Sequence, residues 1–284
     1  MNRHLTIYAV ALPALVLPTV ALAVAQGADA SRLDGAPVPA QIALYGQAFL
    51  PAVAALIATR RIDWGFRRVP ARVLALSWLI PLLCVAAGYA VAWLTGLAGF
   101  VPGSPLDVLV GLVPGVVPFL VLALGEQIGW SSLLTLRLAE TRGPDATAFI
   151  VGLAWASFHY PLMLFVPGAV KPGVPVAYAM AVFTMEAMAL AFPLVWLRLR
   201  TGSIWPVLLL HATLNASIYF VAQPMTAPGA EWLVGEGGLL TSAATVVVVL
   251  ATAPLWRRAN SSSSTTDRPS HQRIRSRGGK QDRA

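Results

Sequence analysis

Charge is what this chain has least of. Of its 284 residues only 11% are Asp, Glu, Lys or Arg, 57% are hydrophobic, and the mean hydropathy is +0.70. A soluble domain carries about 25% charged residues, so the supply falls well short of a solvated surface. The length would suit one or two soluble domains; the composition points to a polytopic membrane protein instead. Cysteine is nearly missing. Cys84 is alone, which excludes an internal disulfide framework and any cysteine-cluster metal site. Lysine is reduced to Lys171 and Lys280, leaving 18 arginines among the 20 cations. With abundant Ala, Gly and Pro, that bias suggests a GC-rich bacterial genome. The net charge of +8 and pI near 10.4 would suggest nucleic acid only if the cations shared a face.

What is present is long apolar runs. A bilayer core about 30 Å thick takes about 20 mostly apolar residues to cross as a helix. Eight runs qualify: 5–26, 41–59, 73–97, 106–125, 146–166, 176–197, 203–222 and 239–256. The expected fold is all-α, a polytopic integral membrane bundle of about eight transmembrane helices occupying 1–256. The fourth run holds Pro114 and Pro118, and its helical pattern continues past Gly125 to Arg137. That is too long for one straight span, so a kinked or broken helix is expected. The first run has a signal-peptide alternative, with Arg3 ahead of it and Ala-Val-Ala-Gln at 23–26 resembling a cleavage site. Its apolar stretch exceeds the usual 7–15 residues or so of a signal core, and a retained helix is expected. No internal repeat of fixed period is visible.

The cations say which way the bundle faces, because Lys and Arg gather in cytoplasmic loops. With the N-terminus inside, the cytoplasmic segments hold Arg3, Arg60, Arg61, Arg67, Arg68, Arg72, Arg137, Arg142, Arg198, Arg200 and eight cations from Arg257 to Arg283; the outer loops hold only Arg32 and Lys171. The basic charge is therefore a topology signal, with no nucleic acid implied, and it puts both termini in the cytoplasm. The Ser-rich basic tail at 257–284 has no apolar periodicity and is expected to be disordered there, with adhesion to the lipid bilayer as a modest extra.

Ionisable groups inside spans are costly and are functional candidates by default. Two histidines, His159 and His211, fall inside spans five and seven; two acids are clearly embedded, Glu126 and Glu186. At 1.5 Å rise per residue, Glu126 lies ~16 Å from Arg137, His159 ~21 Å from Asp145 and His211 ~16 Å from Arg200. Three helices thus bring an acid and two imidazoles to a similar depth, expected to open toward the cytoplasmic half. Asn215 sits at i+4 from His211, on the same helix face. A buried carboxylate could take a proton from water and pass it to a leaving amine, while histidine and asparagine donors stabilise an oxyanion. The same groups, His159, His211 and Glu126, could instead hold a divalent metal such as Zn²⁺ with one position open, although no HExxH helix is present. Interhelical hydrogen bonding and proton translocation would also account for these residues.

Three stretches carry a resemblance. Residues 125–138, GEQIGWSSLLTLRL, resemble the first motif of the CAAX-protease and bacteriocin-processing family (CPBP, or Abi) of intramembrane endopeptidases, Glu-Glu-x-x-x-Arg in a Gly-Trp-Arg-Gly context. Residues 152–161, GLAWASFHYP, resemble the second, an aromatic residue four before a histidine (Trp155 and His159). Residues 202–215, GSIWPVLLLHATLN, resemble the third, His-x-x-x-Asn (His211 and Asn215). GEGG at 235–238 is also similar to bacterial members, and the family core would span about 106–240. The resemblance implies a membrane endopeptidase, protease-like and in some readings metalloprotease-like, acting on a peptide or membrane-anchored protein. It implies Glu126 as the water-activating base, His159 as its partner, and His211 with Asn215 as the oxyanion-side pair. A glutamate-activated water without metal is the preferred reading.

The chain departs from the first motif at Gln127, where the family has its second glutamate, and at Ser131, where it has arginine. These positions are i and i+4 on one helix face, where an ion pair would form. Losing both removes one charge of each sign and leaves no unpaired ion. A polar pair in place of an ionic one is the simplest reading. A catalytically inactive member serving as an immunity or scaffold protein is the sceptical one. Glu186 has no counterpart in the motifs; it is expected to bond a neighbouring helix, with lining the cavity or tuning Glu126 as the alternative. A proton-coupled transporter would spread embedded acids along a path and often repeat its halves, whereas this polar set is clustered in the second half.

Overall fold

The structure, a computed structural model, describes residues 2–259. Among the described residues, eight helices are long and apolar enough to cross a membrane: Arg3–Ala25, Val38–Ala58, Ala71–Leu94, Pro105–Ala139, Pro144–Phe165, Val176–Thr201, Trp205–Ala222 and Leu239–Arg257. They are spans one to eight below, and each coincides with one of the apolar runs. Among the described residues extended pairing is limited to an isolated bridge between Phe100 and Thr226. The fold is all-α. Of the tail expected to be disordered, residues 260–284 lie outside the described residues.

Prolines start several spans where a missing N–H costs nothing: Pro105, Pro144 and Pro206 each occupy the first turn of their helix. Span four is broken as its prolines require. Its first helix, Pro105–Leu112, ends before Pro114, and the next, Val116–Gly129, runs on through a π-helical turn at Trp130–Leu134 to Thr135–Ala139. The carbonyl of Leu112, beside the break, accepts the indole N–H of Trp78 at 3.1 Å. A neighbouring span thereby satisfies a backbone group that lipid could not.

Small residues let the helices approach closely, as membrane bundles require. A Cβ on Gly125 would lie 2.5 Å from the Ala48 carbonyl oxygen, and one on Gly129 would lie 2.5 Å from Pro51 Cβ. These two glycines bring span four against span two and flank the motif residues Glu126 and Gln127. Gly152 likewise seats span five on the backbone of Met188 in span six. Span seven is the most enclosed, with 67% of its apolar window buried against 22% for span one. It packs on spans three, four and six, and it carries His211 and Asn215. Lipid-facing apolar side chains such as Val10, Leu94, Leu109, Val247 and Leu250 stay exposed on the outside of the bundle.

The end of the bundle that carries the arginine-rich loop is closed. Arg198, at the end of span six, is wholly buried. Its guanidinium donates to the carbonyls of Ser131 at 3.3 Å and Asp63 at 2.8 Å, also to that of Gly202, and it pairs with the Asp63 carboxylate at 3.7 Å. The loop 59–70 is stitched to 202–204 by the Ile204 N–H on the Gly65 carbonyl and the Ser203 hydroxyl on the Arg67 carbonyl. Gly65 has φ +69, and a Cβ there would lie 2.7 Å from the Arg198 guanidinium carbon. Only glycine fits that turn.

Candidate active site

Glu126 stands on the last full α-helical stretch of span four and is buried. Its Oε2 accepts the indole N–H of Trp155 at 2.7 Å and that of Trp130 at 3.4 Å. Two neutral N–H donors therefore hold one oxygen in a charge-assisted arrangement. The other, Oε1, makes no hydrogen bond among the described residues. Trp155 is also the hub for both imidazoles. Its ring lies 5.1 Å from that of His211 and 6.5 Å from that of His159. Spans four, five and seven thus meet on one indole.

The two histidines are held in opposite tautomers. Nδ1 of His159 lies 2.9 Å from the carbonyl of Trp155. A carbonyl can only accept, so Nδ1 carries the proton and Nε2 keeps a bare lone pair. His211 is reversed. The Ser131 hydroxyl donates to Oε1 of Gln127 at 2.7 Å, which turns the amide NH₂ of Gln127 toward Nδ1 of His211 at 3.2 Å. An NH₂ can only donate, so Nδ1 accepts and the proton sits on Nε2. One imidazole presents an acceptor and the other a donor. The Gln127–Ser131 pair thus makes a neutral relay where the family motif has an ionic one.

Asn215 is half-buried on the His211 face of span seven and makes no side-chain hydrogen bond among the described residues. Glu186 lies apart from this cluster. Its Oε2 accepts the backbone N–H of Gly237 at 2.9 Å and the hydroxyl of Ser242 at 3.1 Å, so it ties span six to span eight and to the loop before it. Among the described residues no three His, Cys, Asp or Glu side chains are grouped to hold a metal ion. The conditional set Glu126, His159 and His211 has instead given one carboxylate oxygen to two indoles and each Nδ1 to a hydrogen-bond partner. These side chains are not grouped as a metal site among the described residues, and no step below is routed through a metal.

Two cavities flank the cluster. The larger, about 1000 Å³, is an apolar groove between span one and spans four and five, bounded by Tyr8, Leu12, Trp130, Phe158 and Arg137. Trp130 stacks edge-on between Tyr8 and Phe158 and walls this groove off from Glu126. The smaller, about 270 Å³, has His159 on its wall, with Lys171, Tyr219, Gln223, Glu231 and Glu236. It lies among the loops 26–37, 166–175 and 223–238, at the end opposite the arginine-rich loop. The expected opening toward the basic half is not where this cavity lies; at that end the buried Arg198 ties the loops together.

Some residues here escape a reading by motif. Trp130 has a legible signal, being i+4 from Glu126 on one helix. Glu236 sits in the GEGG stretch and accepts the hydroxyl of Tyr219, a contact that no spacing announces. In the comparison with family models, residues 107–217 match the one described as Rce1-like, type II CAAX prenyl endopeptidase. No curated protein matches the chain.

Proposed function

We propose that this integral membrane protein, whose residues 107–217 match the Rce1-like, type II CAAX prenyl endopeptidase model, is an endopeptidase of the CPBP, or CAAX-protease, family that hydrolyses a peptide bond in a membrane-associated protein or peptide, using a water activated by Glu126. The observation that carries this reading is the pair of opposed imidazoles around one carboxylate. Oε1 of Glu126 accepts a proton from water while Oε2 stays with the indoles of Trp155 and Trp130. The bare Nε2 of His159 orients that water by accepting its second hydrogen. Attack on the scissile carbonyl places negative charge on its oxygen, and Nε2–H of His211 with the free amide of Asn215 supplies the donors for it. Glu126 then gives its proton to the leaving amine. Hydrolysis balances without a further reactant: water's oxygen joins the acyl carbon, the C–N bond breaks, and both water hydrogens end on the products.

The hydrogen-bonded Ser131–Gln127–His211 relay supports an active member over an inactive scaffold, because loss of function removes any need for a directed imidazole. The clustering of the polar groups in one place favours hydrolysis over a transport path. A bacterial plasma membrane, which the Arg-, Ala-, Gly- and Pro-rich composition supports, and cytoplasmic termini, which the arginine distribution supports, belong to the same proposal. Cleavage of a peptide library in detergent tests it, with wild type set beside Glu126→Gln and His211→Ala. Both variants are expected to lose activity; equal turnover in all three would sink the mechanism.

A further inference from the structure

Both ends of the bundle are built differently, and the difference bears on where a substrate comes from. At the end that holds Arg60, Arg61, Arg67, Arg68 and Arg72, the buried Arg198 guanidinium ties together the carbonyls of Ser131, Asp63 and Gly202. That end is held together by these bonds and by those between the loop 59–70 and residues 202–204. At the other end the 270 Å³ cavity exposes His159 to three loops. Those loops are built around the opening. The Ala30 N–H donates to the Pro167 carbonyl at 2.8 Å, Asp29 receives the N–H and hydroxyl of Ser31, and Glu186 pins Gly237 at 2.9 Å. The charges agree: by sequence the cavity end carries Asp29, Asp34, Asp107, Glu231 and Glu236 against Arg32 and Lys171. The large lateral groove offers no substitute, since none of Glu126, His159, His211 or Asn215 lies on its wall.

We infer that the polar site is entered from the face opposite the basic loops, so that its substrate is a peptide segment presented on the outer side of the membrane. The inference rests on the endopeptidase reading for what the substrate is, and on the sealed floor, the cavity and the arginine asymmetry for where it enters.

The test does not use cleavage. In a Cys84→Ala background, His159→Cys, Gln223→Cys and Arg60→Cys are each treated with a small membrane-impermeant thiol reagent in right-side-out and in inverted membrane vesicles. The expected result is labelling of residues 159 and 223 in right-side-out vesicles and of residue 60 only in inverted ones. Labelling of 159 and 223 confined to inverted vesicles overturns the inference, as does labelling of 223 from outside with 159 reached only from the basic side. Should His159→Cys fail to fold, Phe183→Cys decides, since Phe183 lines the same cavity with its ring 4.9 Å from that of His159. Failure of the endopeptidase reading would show separately, as wild-type protein without turnover in detergent.

Discussion

The relay through Gln127 makes a quantitative prediction. Gln127→Met keeps the volume and length of the side chain and deletes the amide that donates to Nδ1 of His211. The imidazole then loses the hydrogen bond that selects the Nε2–H form. A neutral hydrogen bond of this kind is worth about 0.5–1.5 kcal/mol net, and each 1.36 kcal/mol is about tenfold in rate. The expected cost is therefore about two- to tenfold in kcat with KM nearly unchanged, because the donor is needed most when charge develops in the transition state. His211→Ala removes the donor itself, and losing one oxyanion-hole donor costs about 10²–10³ in kcat. The diagnostic is the double variant. Since Gln127 acts only through His211, adding Gln127→Met to His211→Ala should cost nothing further. Full additivity of the two losses in a double-mutant cycle would refute the relay. Side-chain ¹⁵N spectra provide a second check: Nδ1 of His211 should read as unprotonated in wild type and as a tautomer mixture in Gln127→Met.

Three other perturbations follow from particular contacts. Gly129→Ala would place a Cβ 2.5 Å from Pro51 and 2.6 Å from the Tyr8 hydroxyl; overpacking of this kind costs about 1–3 kcal/mol, so the thermal midpoint in detergent should fall, and an unchanged midpoint would count against the close approach of spans two and four. Glu186→Leu should raise hydrogen exchange at Gly237 and Leu239 while sparing the helices of spans four and five, because it removes the acceptor of the Gly237 N–H and the Ser242 hydroxyl; protection unchanged at 237 would refute that anchoring. The Asp29 carboxyl is held below its ordinary value by the hydroxyl and backbone N–H of Ser31. A depressed carboxyl contributes stability above its unfolded pKa of about 3.9, and that contribution is lost as pH falls through the lower folded value. Protection of the loop 26–37 should therefore hold from neutral pH down to about 4 and weaken below it, whereas a loss centred near pH 6 would point to another group.

Much of the fold is legible in the chain because lipid imposes a simple length and polarity rule. Eight apolar runs become eight helices, and Pro114 with Pro118 marks the break in span four. Site residues are legible for a related reason: a histidine or acid inside a span stands out against an apolar background. Their connections are not. The indole of Trp155 reaches Glu126 from 29 positions away and Gln127 reaches His211 from 84, contacts set by helix packing rather than by spacing on one helix. Arg198 shows the limit most clearly. Counted along the chain it is one more cation of a cytoplasmic loop; folded, it is a buried clamp that closes one end of the bundle. Rise per residue gives the depth of His159 from either end equally well, so the direction of opening depends on that clamp and could not come from depth alone.

The substitutions at 127 and 131 can now be weighed physically. A glutamate at 127 without an arginine at 131 would bury an anion against His211 with no cation beside it, and an arginine at 131 without a glutamate would bury an unpaired cation; either costs several kcal/mol. Changing both together avoids that penalty and leaves a chain of neutral donors and acceptors in which each group is matched: the Ser131 hydroxyl to the Gln127 carbonyl oxygen, and the Gln127 amide to Nδ1 of His211. What such a chain changes is direction. A carboxylate at 127 would accept, draw the proton onto Nδ1 and leave Nε2 a donor only if the imidazole were doubly protonated. The amide donates, so Nε2–H is present in the neutral ring. In this chain the donor facing the cluster needs no net charge on His211, which is the more economical arrangement in a site closed off beneath by Arg198 and surrounded by lipid.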